Sequence, residues 1–197
     1  ILIAKALQST TWNLCKPSVS SHKTIITAMT NPFVADALNK VGGRFQPVNI
    51  SLDENPCLIT GANMSGKTVV LKTIACIQYL FQFGFFIPAI HAEIKPVDAI
   101  MLSMGDGQDE TQGLSSFAAE ILKINDIIKH IKNDNKTLVL IDEPARTTNP
   151  IEGSKIVNAI LKMLSEYKVM SLVTTHYDDI MPDVRRLRVK GLTADEN

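Results

Sequence analysis

Residues Gly61 to Thr68, inside "TGANMSGKTVVLKT", satisfy the spacing G-x-x-x-x-G-K-[ST]. Glycines at both ends let backbone N–H groups converge on a phosphate without Cβ clashes. Gly61, Ala62, Asn63, Met64, Ser65, Gly66, Lys67 and Thr68 are therefore candidate nucleotide-binding residues. Lys67 is expected to reach the β- and γ-phosphates of the nucleotide, and Thr68 to ligate Mg²⁺ through its hydroxyl. An ordinary surface loop is the alternative. It would leave a lysine at a helix N-terminus, the wrong charge for the helix dipole.

A second element supplies carboxylates. "LVLIDE" sets four apolar residues before Asp142 and Glu143, at the C-terminal end of a strand, where open α/β sheets bind ligands. Asp142 is expected to hold Mg²⁺, usually through water, and Glu143 to orient and polarise the attacking water. Standing alone, the two would read equally well as solvated carboxylates. A third apolar strand, "SLVTTHY", ends at His176, which could sense the γ-phosphate or serve as a packing or capping residue.

These groups need a scaffold. Short apolar strands are expected at "KTIITAM", "RFQPVNISL" (an edge strand, given Pro47), "CLIT", "AEIKPVDAIMLSM", "KTLVLIDEP", "KVMSLVTTHY" and "LRVKGL". Between them, helical spacing marks "FVADALNKV", Lys67 to about Phe83, "SSFAAEILKINDIIKHI" with Ser115 or Ser116 as N-cap, and "PIEGSKIVNAILKMLSEY" with Pro150 near N1. The first residues also show helical spacing, up to about Leu14, before Pro17. Alternating strands and helices with continuously apolar strand runs predict an α/β fold, its sheet covered on both faces and largely parallel in the centre.

With 197 residues the chain can bury one good core. Lys plus Arg and Asp plus Glu both number 20, so the net charge is zero, which argues against a strong grip on nucleic acid by this segment. "RRLRVK" reads as a solvated strand. Cys15, Cys57 and Cys76 fit neither a zinc knuckle nor a disulfide framework, and suggest a reduced, cytoplasmic setting. The longest apolar run, "YLFQFGFFIPAI", is too short and broken to span a membrane, and no signal peptide is expected. The missing initiator Met is expected of a segment cut from a longer protein.

Taken in order, these motifs resemble the ATPase domain of the MutS family, within the ABC-type P-loop NTPases. The likeness runs from about Asn31 to Ile180. "TGANMSGKT" is similar to the family's T-G-P-N-M-G-G-K-S/T, "DEPARTTNPIEG" to D-E-x-G-x-G-T-x-P/S, "TTHYDDI" to T-H-Y-x-E-L, and "GDGQDETQGLSSFAAEI" to its serine-bearing loop and helix. The resemblance implies a mostly parallel central sheet flanked by helices, with an antiparallel edge portion. Residues 1–22 would then be the tail of a preceding helical region, and 23–197 the ATPase domain.

The same resemblance implies further roles. Asn63 would touch the γ-phosphate or the metal shell, and Phe45 would stack on adenine. Ser115 and Ser116 would reach the γ-phosphate of a nucleotide held by a second subunit, so that ATP joins two copies through composite sites; they read equally as N-caps of an ordinary helix. Lys67, Glu143 and His176 would be the catalytic set. Departures are Pro144 and Ala145 in place of an apolar-Gly pair, Thr147 in place of a glycine, and Ser65 where glycine is common. The first three stiffen the loop after the acidic pair.

The details lie nearer to the divergent branch that lacks a mismatch-reading domain. The expected function is ATP hydrolysis coupled to DNA mismatch repair or related DNA processing, with DNA contacted by regions outside this segment. The alternative is an ATPase acting on a protein client, such as a cobalamin-dependent aminomutase, without DNA. A nucleotide-binding scaffold with little turnover is a third reading, against which Glu143 speaks.

Overall fold

The computed structural model describes residues 12–61, 65–104, 116–133 and 136–188. They fall into two units, one within residues 1–51 and 72–96, the other within 52–71 and 97–197.

The first unit carries a four-stranded mixed sheet. Its strands are β1 (Ser18–Val19), β2 (Thr24–Met29), β3 (Val48–Leu52) and β5 (His91–Ile94), in the order β1-β5-β2-β3. β5 runs antiparallel to β2 and parallel to β1. Pro47, which lacks an N–H, directly precedes β3, and β3 lies at the sheet edge as expected. Helix α1 (Pro32–Lys40) starts on a proline, and Asn31 caps it by accepting from Val34 N. The amide of Asn31 also donates to Thr73 Oγ1 at 3.0 Å, which satisfies a buried polar pair. Of the stretch up to Leu14 where helical spacing suggested a helix, residues 1–11 lie outside the described residues; residues 12–14 are not helical, and Cys15 bridges Ile87.

The second unit holds a five-stranded parallel sheet: β6 (Ala99–Ser103), β7 (Thr137–Ile141), β8 (Met170–Thr175), β4 (Pro56–Thr60) and β9 (Arg185–Arg188), in that order. Helices α3 (Ser116–Ile131) and α4 (Pro150–Glu166) share one core with it. Ile124, Ile127 and Ile131 of α3 meet Val157, Ile160, Leu161 and Leu164 of α4, over Leu58, Val139, Ile141 and Val173. The alternate strand residues Leu138, Leu140 and Leu172 face the other way and are also fully buried. Burial on both faces is why these strands read as unbroken apolar runs. Each buried Leu or Ile contributes about 1.5–3 kcal/mol.

Helix α2 (Lys67–Gln82) begins in the second unit, and its residues from Lys72 onward belong to the first. The basic stretch forms β9 at the sheet edge beside β4, with Arg185 and Arg186 exposed and Arg186 donating to the carbonyl of Met181. No described helix is long and apolar enough to cross a membrane. All three thiols are free, and burial pushes Cys57 up to about 11, so it stays a thiol.

Candidate active site

Because every strand of the second sheet runs the same way, the C-terminal ends of β7, β8 and β4 lie side by side. The glycine loop follows β4, Asp142 and Glu143 follow β7, and His176 follows β8. Parallel register alone therefore gathers three separate stretches of sequence at one sheet edge.

Lys67 is the first residue of α2 and only 3% exposed. Its Nζ donates to Gly61 O at 2.7 Å and lies 3.0 Å from Glu143 Oε1. Thr68 Oγ1 donates to Asp142 Oδ2 at 2.7 Å, and Thr174 Oγ1 donates to Asp142 Oδ1 at 2.6 Å. Glu143 N donates to Thr174 Oγ1 at 2.9 Å, while Glu143 Oε2 lies 3.8 Å from His176 Nδ1. Lys67, Thr68, Asp142, Glu143 and His176 thus converge, although they come from three regions of the sequence.

The cradle's chemistry fits a phosphate and a hard cation. A buried ammonium at the positive end of a helix is unfavourable by itself, and an anion there relieves it. Ser65 Oγ is buried and has no hydrogen-bond partner among the described residues, as a hydroxyl awaiting a phosphate oxygen would be. Gly66 has φ +94°, a conformation glycine adopts freely, and no atom occupies the space where a Cβ would point. Thr68 and Asp142 offer oxygen donors of the kind Mg²⁺ takes.

Other expected site residues lie outside the second unit or outside the described residues. Phe45 belongs to the first unit, partly buried in the stretch before β3. Ala62, Asn63, Met64 and Ser115 lie outside the described residues, as does the side chain of Ser116, the first residue of α3.

Sequence reasoning passed over Thr174, which braces both acidic residues. The only signal was the pair Thr174-Thr175, polar residues at the end of a buried strand. It also passed over Glu120 and Tyr177. Ala145 N donates to Glu120 Oε1 at 3.1 Å, and Tyr177 Oη donates to Ala145 O at 2.7 Å. Ala145 itself has φ +62°, a left-handed position that a glycine fills at no cost. The substitution noted in the sequence therefore adds strain as well as stiffness.

Burial raises the pKa of the Glu120 carboxyl, opposed by the hydrogen bond from Ala145 and by Arg146. An acid whose pKa is higher folded than unfolded binds more protons in the native state. Stability then falls as pH rises from the unfolded carboxylate range through the raised folded value. Glu120→Gln is accordingly expected to be more stable than the parent near neutral pH, with the difference vanishing below the carboxylate range. Chemical denaturation at several pH values checks this.

Residues 57–193 match the family model described as MutS domain V. The chain is 36% identical over 184 residues to an "Endonuclease MutS2" of Caldicellulosiruptor bescii, covering 91% of this chain and 22% of the relative. It is 32% identical over 183 residues to a "DNA mismatch repair protein MutS" of Lactobacillus delbrueckii subsp. bulgaricus, covering 91% and 21%. A "DNA mismatch repair protein MSH3" of Candida albicans is 35% identical over 162 residues, 81% of this chain and 15% of that protein. The chain spans roughly a fifth of the length of the first two relatives. A parallel α/β unit with a glycine loop and an acidic strand end, matched by that family model over most of its length, settles the kinship: this chain belongs to the MutS family and carries its ATPase domain.

Proposed function

We propose that this chain binds ATP with Mg²⁺ at the edge formed by β4, β7 and β8, and hydrolyses it to ADP and phosphate. The observation that carries this reading is Lys67: a buried cation at a helix N-terminus, held by one carbonyl and one carboxylate that a polyphosphate can replace. Residues Gly61 to Thr68 wrap the phosphates, and Ser65 Oγ donates to one of their oxygens. Lys67 moves from Gly61 O and Glu143 onto the β- and γ-phosphates. That frees Glu143 to accept a hydrogen bond from the attacking water and aim its oxygen at the γ-phosphorus. His176 steadies the Glu143 carboxylate from the other side. Thr68 and Asp142 would hold Mg²⁺, which neutralises phosphate charge when bound. Phe45 stacks on adenine, and Asn63 completes the γ-phosphate contacts.

The proposal extends to the assembly. Residues 23–197 act as the ATPase module of a longer protein, and Ser115 and Ser116 complete the site of a second copy, so that ATP binding favours a homodimer. The module serves DNA mismatch repair or related processing in the cytoplasm, through DNA contacts made outside this neutral segment. The slightly higher identity to MutS2 supports the divergent branch. A protein client such as an aminomutase draws no support from these relatives.

Phosphate release by the full-length protein, with and without Mg²⁺, tests the chemistry: Mg²⁺-dependent turnover is expected. DNA retention over a salt series tests the setting. Retention that strengthens as salt falls is expected, because phosphate contacts release counterions, and no retention at low salt contradicts a DNA role.

A further inference from the structure

We propose that Glu120 and Tyr177 are positioning residues, which hold Ala145 by its N–H and its C=O and so set where the Glu143 carboxylate stands. The inference rests on the ATPase reading above and names side chains that reading does not use.

The loop after β7 is unusual in its backbone. Glu143 (φ +45°) and Ala145 (φ +62°) both occupy the left-handed region, one on each side of Pro144. Neither is glycine, so neither conformation is favourable without outside support. Support comes from three side chains. Thr174 of β8 accepts from Glu143 N, Glu120 of α3 accepts from Ala145 N, and Tyr177 donates to Ala145 O, which also accepts from Thr148 N. Every backbone polar group around the turn that these bonds reach is thereby satisfied away from water.

Tyr177 is held in turn. A Cβ added at Gly153 of α4 would lie 2.3 Å from the tyrosine Cζ and Oη, so the ring passes over α4 where only a glycine leaves room. The ring also lies 4.3 Å from that of His176, centroid to centroid. Burial, then Glu120 and Glu143, raise the Tyr177 pKa, which keeps its hydroxyl a donor. Without the two clamps the turn is free to relax to right-handed backbone, and Glu143 rotates with it. The clamp also links α3 to the acidic pair: Glu120 lies one turn after Ser116, so a shift of the first turn of α3 reaches Glu143 through Ala145 and Pro144.

The test uses steady-state ATP hydrolysis and thermal unfolding of the full-length protein. Tyr177→Phe keeps the ring over Gly153 and removes only the hydroxyl; Glu120→Ala removes the acceptor, and Glu120→Gln keeps a carbonyl oxygen in its place. Misaiming a water-orienting group affects turnover more than substrate binding. The expected result is therefore kcat lower by roughly ten- to a hundredfold in Tyr177→Phe and Glu120→Ala, KM within about twofold, and most of kcat recovered in Glu120→Gln. With a wild type that hydrolyses ATP, unchanged kcat in Tyr177→Phe and Glu120→Ala overturns the clamp alone. So does a loss that tracks melting temperature and is not recovered by Gln. A wild type without turnover overturns both the clamp and the ATPase reading.

Discussion

Replacing Glu143 with Gln is expected to lower ATP hydrolysis by roughly 10²–10⁴-fold, the usual worth of a positioned general base, while ATP binds at least as tightly. Glutamine keeps the shape and can still hydrogen-bond, so the turn after β7 stays in place. It cannot polarise water as a carboxylate does. Binding is spared because Glu143 stands 3.0 Å from Lys67 and competes with the γ-phosphate for the same ammonium. Removing its charge removes a competitor and a repulsion. Single-turnover hydrolysis together with nucleotide titration separates the two effects. Equal hydrolysis by parent and variant would mean that the carboxylate has no part in the reaction.

The second large effect is on affinity. Lys67→Met is expected to weaken ATP binding by roughly 10- to 100-fold, the scale of hydrogen bonds to a charged group. Methionine relieves the helix N-terminus of a buried cation, a gain of a few tenths to 1 kcal/mol. It also strips Glu143, 16% exposed, of its partner; a fully buried charge loses about 3–5 kcal/mol in that way, and water reaching this carboxylate lowers the cost. The two terms oppose each other, and the net loss of stability should stay below about 3 kcal/mol. A purely structural lysine would lose stability with nucleotide affinity untouched. Denaturant titration beside nucleotide titration distinguishes them.

Much of this site is legible in the sequence because its parts are short and locally specified. The glycine loop has fixed spacing, the acidic pair ends an apolar run, and His176 follows another. Once all three strands are taken as parallel, their ends meet without further information, and Lys67, Thr68, Asp142, Glu143 and His176 come together in that way. The strand order β6-β7-β8-β4-β9 does not follow from periodicity, since β4, β6 and β7 present similar short apolar runs that do not say which strand lies beside which. Nor do the braces. Thr174 reaches Asp142 across 32 positions, and Tyr177 reaches Ala145 across the same separation. Such contacts depend on side-chain direction after packing, which composition and spacing do not carry. The strain at Ala145 is half legible: an alanine stands where the family resemblance expects a glycine, but only the backbone shows that the position is left-handed.

The phosphate cradle is most directly tested by isothermal titration of the full-length protein with ATP, in Mg²⁺ and then in EDTA. A saturable heat that weakens when Mg²⁺ is withdrawn, and is greatly diminished in Lys67→Met, is the expected result. Correctly folded protein that takes up no nucleotide in Mg²⁺, or takes it up equally well without Lys67, would contradict it.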